Sequence, residues 1–249
     1  MALKKLIHKL FRSRDHLAKS AKQDVGWMPM DLWDKCNFAI DCKNLEGRAC
    51  YGGLDFSAPA GLVSFVLVFP PENKDDKYQI LPYFWIPIES LRLRERRTYV
   101  PYDVWAKQGF LRLTRGNVIN YKYVYNFIYE LGKRYNIREI AFDRWGSEYV
   151  VQELEKLRFS LVRFGQGYKD MSPPTKELMY LTQRGQLAHG GNPVLRWNMV
   201  NVHIRKDPAG NIKPDKEKSA EAIGSVAALI MALDRALKYN SAPEKSVSD

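Results

Sequence analysis

Two aspartates are the residues best placed to do chemistry in this chain. Asp55 closes the run Tyr51-Gly52-Gly53-Leu54-Asp55-Phe56-Ser57, and Asp143 closes Ile137-Arg138-Glu139-Ile140-Ala141-Phe142-Asp143-Arg144-Trp145. Each run is apolar and strand-like. A carboxylate at the end of a buried strand is costly unless something pairs with it. Two of them at one edge of one sheet would make a site for a hard divalent cation. In a basic protein, such a site suggests metal-assisted cleavage of a phosphodiester. Either aspartate taken alone also fits a cap on a strand-to-loop turn.

The elements that must position the pair can be followed along the chain. Residues 1–30 read as a basic helical arm and connector, and 31–36 as a short helix anchored by Trp33. Runs 48–57, 61–69 and 78–88 read as three strands of an antiparallel meander, the last bent or at an edge because of Pro82 and Pro87. The charged segment 72–77 is their hairpin loop. Short helices are expected over 91–98 and 102–108. A longer one over 120–135 carries Tyr121, Val124, Tyr125, Ile128 and Leu131 on one face. Strand 137–143, helix 147–157 and strand 160–164 form a βαβ succession, which requires parallel pairing. Ser172-Pro173-Pro174 is expected to open a helix running to about Arg184. Asp207-Pro208-Ala209-Gly210 is a turn signal between 201–206 and 211–213, which read as a hairpin. Residues 219–239 carry the clearest helical stripe, and 241–249 read as a flexible tail. The sum is an α/β domain over 31–240. Its mixed sheet is flanked by helices, with an added β-hairpin before the last helix. A ribonuclease-H-like arrangement satisfies this order and brings the first and fourth strands together.

Bulk properties narrow the class. The 249 residues are 45% hydrophobic and 12% aromatic, enough for a packed core rather than general disorder. The formal charge is +11, which favours nucleic acid or another anionic partner. Seven basic residues against one acid in 1–22 supply +6 of it. Three cysteines without CxxC spacing point to a reduced compartment and argue against a disulfide framework or zinc site. The longest apolar run, around Ser64 from Gly61 to Pro71, is too short to span a bilayer. Met1–Arg14 lacks a signal peptide's apolar core and cleavage site.

A longer stretch is more specific than any single motif. It contains Gly165-Gln166-Gly167-Tyr168, Met171-Ser172-Pro173-Pro174-Thr175-Lys176-Glu177-Leu178 and His189-Gly190-Gly191-Asn192-Pro193-Val194-Leu195-Arg196-Trp197. It closes with Asn201-Val202 and Asp207-Pro208-Ala209-Gly210-Asn211-Ile212-Lys213-Pro214-Asp215-Lys216-Glu217-Lys218-Ser219. This closely resembles the nuclease domain of the large terminase subunit of tailed bacteriophages, over roughly residues 25–240. The resemblance implies a ribonuclease-H-like fold and an endonuclease that cuts concatemeric viral DNA during packaging, with two Mg²⁺ or Mn²⁺ ions. It aligns Asp55 and Asp143 with two metal-binding aspartates. It implies double-stranded DNA, an ATPase domain, a small terminase subunit and a portal as partners, in the host cytoplasm and not at a membrane.

This sequence departs from the family's pattern in two places. The family carries a third acid near the start of the last helix, where this chain has Gly224. Glu221, three residues earlier, is the expected replacement ligand, with Glu217 and Asp215 as further candidates. Equally, Glu221 fits a solvated acid in a first helical turn. The phosphate loop Gly-x-x-x-x-Gly-Lys-Ser/Thr of the ATPase domain has no counterpart here. The chain is therefore expected to be an excised domain, or the product of a split or truncated gene.

In a two-metal mechanism, ions about 3.5–4 Å apart clamp the scissile phosphate. Asp55 would bridge them and Asp143 would bind one. Arg205, Lys206, Lys213, Lys216 and Lys218 surround the expected hairpin and would contact DNA backbone without reading sequence. Arg92, Arg94, Arg96 and Arg97 form a second basic group that could face DNA, the portal or the ATPase domain. His189 is a candidate phosphate contact or proton shuttle, and equally a loop-stabilising histidine. Trp145 is placed to wall the site. Two other readings remain open: a catalytically weakened DNA-binding or portal-docking module, and a related ribonuclease-H-like resolvase or transposase.

Overall fold

A computed structural model describes residues 27–56, 61–95, 100–143, 148–219 and 223–240. The arm over 1–22, Trp145, Glu221, Arg96, Arg97 and the tail 241–249 lie outside the described residues. The large sheet contains β1 (Ala49–Phe56), β2 (Val63–Phe69), β3 (Tyr78–Pro87), β4 (Arg112–Thr114), β5 (Asn136–Asp143), β6 (Leu161–Phe164) and β7 (Leu187–Ala188). Its order is β4-β3-β2-β1-β5-β6, with β7 also beside β3. The meander β1-β2-β3 is antiparallel, whereas β5 lies parallel to β1 and to β6. This mixed sheet is the arrangement the alternation pattern requires.

The two short strands were not expected. Both pair in parallel with the outer edge of β3, β7 against Tyr78 and Gln79, and β4 against Trp85 to Pro87. Pro82 falls between those stretches, where no described strand covers the edge and its missing N–H costs little.

Helices cover both faces. Tyr121–Arg134 and Glu148–Lys156 pack Val124, Ile128, Val151 and Leu154 against Leu54, Phe65, Ile140 and Phe142. On the opposite face, helix Gly224–Asn240 packs with Tyr168–Gln183 and Pro193–Val200 over Tyr51, Val66, Val68 and Ala141. Val226 to Leu233 are all buried, because the helix lies between sheet and helices rather than facing water.

Glycine at position 53 permits the closest of these contacts. A methyl group there would lie 2.8 Å from the Ala228 carbonyl carbon and 3.0 Å from the Ala232 nitrogen, and nearer still to the Ala228 oxygen. The helix backbone therefore rests directly on β1. Tyr51 meets Tyr239 on the same face, with ring centroids 5.8 Å apart. The helix thus runs antiparallel to β1 and brings its N-terminal end toward Asp55.

Three boundaries differ from the sequence reading. The helix expected to open at Ser172 begins at Tyr168, so Pro173 and Pro174 lie inside it rather than in its first turn. The last helix begins at Gly224 rather than Ser219. Gly224 is therefore a first-turn residue and escapes the interior glycine cost of roughly 1 kcal/mol. The hairpin is shorter than expected, with β8 (Ile204–Lys206) against β9 (Ile212–Pro214). Asp207 accepts hydrogen bonds from Asn211 N and Nδ2, and Gly210 takes φ +77°. The hairpin leans on the Tyr168–Gln183 helix, where Ser172 Oγ accepts from Ile212 N.

Candidate active site

The parallel register sets the two aspartates side by side. Leu54 pairs with Phe142 across β1 and β5, so Asp55 and Asp143 follow on neighbouring strands at the same sheet edge. Asp55 is buried at 1% exposure. The Asp143 side chain is 17% exposed and opens the site to solvent.

A third charge joins them. Lys216 Nζ donates to Asp55 Oδ1 at 2.5 Å and lies 3.8 Å from Asp143 Oδ2. Burial alone would lower the pKa of this ammonium. The Asp55 carboxylate, its hydrogen bond and Asp143 outweigh that, and the net pKa is raised. Lys216 is therefore a cation held between two carboxylates.

The segment carrying Lys216 leaves β9 and turns around the buried carboxylate of Asp215. That carboxylate accepts from Arg205 Nε at 2.8 Å, Glu217 N at 3.1 Å and Lys218 N at 3.3 Å. Asp215 N donates to the His203 carbonyl, and Ser219 Oγ donates to the Asp215 carbonyl. Burial works to raise the Asp215 pKa, but the Arg205 and backbone hydrogen bonds overcome it and hold the carboxyl low. Arg205 also pairs with Glu217 at 2.8 Å.

These contacts bear on the other sequence candidates. Asp215 and Glu217 are engaged by Arg205 rather than aimed at the Asp55–Asp143 pair. No group of three His, Cys, Asp or Glu residues able to hold a metal occurs among the described residues. Lys213 Nζ donates to the Gln166 carbonyl at 3.1 Å. Lys206 and Lys218 are exposed on the hairpin and on the turn after it.

His189 is not brought to this site. It follows β7, which pairs with Gln79 at the β3 end opposite Phe84, the residue in register with Ser64 and, through it, Asp55. That offset is about five residues, roughly 17 Å along the strands. The imidazole is buried and stacked on Trp33, with centroids 4.3 Å apart. Its Nε2–H donates to the Trp33 carbonyl at 2.7 Å, and its Nδ1 accepts from Gly191 N at 3.2 Å. It staples the Gly190–Asn192 turn to the Met30–Lys35 helix, the loop-stabilising alternative of the sequence reading.

Ser64 is the residue the sequence reading passed over. It lies in register with Asp55 on β2, so the two side chains share a face about 5 Å apart at Cβ. Its hydroxyl is fully buried and has no hydrogen-bond partner among the described residues. Its signal was present, since it is the one polar residue in Val63-Ser64-Phe65-Val66-Leu67-Val68-Phe69.

The residues present fit a bound cation. Two carboxylates, one buried, converge on a position already satisfied by an ammonium, and an orphan hydroxyl adjoins them. The family model described as the terminase large subunit endonuclease domain matches residues 2–240. The chain belongs to that family. Over 191 residues it is 37% identical to the large terminase subunit of Enterobacteria phage HK97, covering 76% of this chain and 38% of that protein. Protein YmfN of Escherichia coli K12 is 29% identical over 244 residues, covering 94% of this chain and 53% of that protein. The chain thus spans only about two fifths to one half of these relatives. The crystal structure of the HK97 large terminase superposes with a TM-score of 0.76 at 33% identity, over 84% of this chain and 43% of that one. A large terminase nuclease from the thermophilic phage G20c, solved with bound magnesium, shares the fold at a TM-score of 0.50 and 14% identity, over 76% of this chain and 84% of that one. The terminase nuclease domain therefore has the ribonuclease-H-like mixed sheet expected from its sequence.

Proposed function

We propose that this terminase nuclease domain is a divalent-metal-dependent DNA endonuclease that cuts concatemeric viral DNA during genome packaging. The observation that carries the reading is the Asp55–Asp143 pair, set at the ends of adjacent parallel strands around one positive charge. Asp55 and Asp143 would hold Mg²⁺ or Mn²⁺, with Glu221 as the proposed further ligand where the family's acid is replaced by Gly224. The magnesium bound by the G20c relative supports that choice of ion. When bound, divalent ions supply charge that polarises the phosphodiester and ease deprotonation of an attacking water.

The chain's own residues supply position. Asp55, rigidly seated between β2 and β5, would hold the cation from the buried side. Asp143, more open, would hold it from the solvent side, where the scissile phosphate can approach. Lys206, Lys213 and Lys218 lie on or beside the hairpin and would track backbone phosphates without reading bases. Arg205 contributes indirectly, by holding the turn that carries Lys216. Water attacks phosphorus and its proton passes to solvent. The P–O3′ bond breaks, and the departing oxygen takes its pair and a proton from solvent.

In this reading residues 31–240 form the nuclease domain. Its partners are double-stranded DNA, the ATPase domain, the small subunit and the portal, in the host cytoplasm. Among the described residues no helix is long and apolar enough to cross a membrane.

Supercoiled plasmid incubated with the chain in Mg²⁺ or Mn²⁺ tests the proposal. Nicking and linearisation are expected, and Asp55→Asn abolishes both. Plasmid bound but uncut in either metal would instead support a DNA-binding or portal-docking module.

A further inference from the structure

Two divalent ions sit awkwardly beside Lys216. The carboxylates of Asp55 and Asp143 carry −2, and the ammonium already returns +1. Adding two divalent ions would place five positive charges against two negative ones, or three with Glu221, within a few ångströms. Either the lysine leaves when metal loads, or it stays and fewer ions enter.

The structure favours a lysine that stays. Its backbone is not a loose surface loop. It is fixed by the seven hydrogen bonds that Asp215, a residue 3% exposed, accepts or donates, and by the Arg205 link to Glu217. The hairpin before it is anchored on the Tyr168–Gln183 helix through Ser172. The Lys216 side chain remains 45% exposed, so a ligand can reach it. An ammonium has three donors. The two carboxylates engage at most two of them, which leaves one for a non-bridging phosphate oxygen.

We propose that Lys216 is a catalytic group of this centre, its ammonium standing in for one of two divalent ions, so that the chain cuts DNA with a single divalent cation beside a fixed lysine. This rests on the nuclease reading above and deepens it. Lys216 offsets the charge that builds on the phosphoryl oxygens while water's oxygen bonds to phosphorus and the P–O3′ bond breaks. The remaining cation is held by Asp55 and Asp143. The lysine thus supplies from the chain what a second ion supplies in a two-metal site.

The test combines Mn²⁺ titration followed by electron paramagnetic resonance with plasmid cleavage, on the wild-type chain, K216Q, K216R and D55N. Wild type is expected to bind one Mn²⁺. K216Q should bind Mn²⁺ at least as tightly, having lost a competing cation, yet cleave about 100-fold more slowly, as when one preorganised charge contact is removed. K216R keeps the charge and should keep one Mn²⁺ and more activity than K216Q. Melting curves confirm that each variant is folded. Two Mn²⁺ on wild type or on K216R would overturn the proposal. So would K216Q cleaving as fast as wild type or faster, which would make Lys216 a plug that metal displaces. D55N separates the two levels: if it binds Mn²⁺ and cleaves like wild type, the nuclease assignment at this pair fails, whatever Lys216 does.

Discussion

Substituting Gly53 by alanine should damage stability and cleavage together, because one contact serves both. The new methyl would meet the backbone of the Gly224–Asn240 helix, 2.8 Å from the Ala228 carbonyl carbon and 3.0 Å from the Ala232 nitrogen. Ordinary contact begins near 3.4 Å, so clearing the Ala228 carbonyl carbon alone takes about 0.6 Å, and the Ala228 oxygen, nearer still, demands more. No flexible side chain can absorb this, since both obstacles are main chain. Overpacking of this kind costs about 1–3 kcal/mol, occasionally more. For a domain of this size each kcal/mol lowers the melting temperature by about 2–4 °C. We therefore expect a fall of about 6–12 °C at the upper end of that cost. Asp55 lies two residues along the same strand and on the same face as Gly53. A displacement approaching 1 Å at a reacting group can cost about 100-fold in rate. Thermal melts and plasmid nicking on the same preparation read both effects. The reasoning is refuted if the G53A chain melts within about 2 °C of wild type and nicks at the wild-type rate.

Other perturbations address separate links. Asp215→Asn weakens the Arg205 pairing and should slow cleavage about tenfold or more through loss of Lys216 positioning, with a smaller change in Mn²⁺ affinity, read by nicking and metal titration in parallel. His189 is held neutral by burial, which depresses its pKa below the ordinary 6.5; unfolding releases it to protonate, so stability is full above about pH 6.5 and declines as pH falls from there toward the depressed folded value. Urea midpoints measured at pH 7.5 and pH 5.5 should converge in His189→Gln relative to wild type, if this imidazole carries the dependence. Ser64→Ala removes a buried hydroxyl without a described partner, so it should leave the melt within about 1 kcal/mol of wild type; weaker Mn²⁺ binding in the same variant would give the hydroxyl a role beside Asp55.

The parts of this fold legible in the sequence are those with a period. Alternation and β-branched runs marked the meander, and βαβ spacing required β5 parallel to β6. The rest lacked a local signal. Arg112–Thr114 and Leu187–Ala188 are too short to show an alternation, and they become strands only because the outer edge of β3 offers them unpaired backbone groups. The paired prolines hid the true start of the Tyr168–Gln183 helix. At the site, Asp55 and Asp143 were legible because each terminates a buried run. Lys216 was visible only as one base among several beside a hairpin. Its contact with Asp55 spans 161 positions, and its direction depends on the turn that Asp215 organises. The choice between the two readings of His189 stayed open for the same reason, as its partner Trp33 lies 156 positions away.

The glycine at the family's acid position and the lysine beside the aspartates make sense as one change rather than two. By the resemblance, an acid at the start of the last helix would sit near Asp55, since that helix runs antiparallel to β1. With such an acid present, three carboxylates would face the site and two divalent ions would balance them. Here Gly224 brings no charge. Asn198 Oδ1 approaches Ser225 N at 3.4 Å, and the Ile223 carbonyl accepts from Val226 N and Ala227 N. This helix start is thus organised by the chain itself. Asp55 and Asp143 remain, with Glu221 as at most a third carboxylate, and one ammonium plus one divalent ion answers them more evenly than the ammonium plus two divalent ions would. A chain given an acid at 224 while losing the Lys216 charge should therefore move toward two-ion binding, whereas either change alone leaves the charges mismatched. Counting bound Mn²⁺ across G224D, K216Q and G224D/K216Q measures that coupling. Independent effects of the two substitutions would break the link between them.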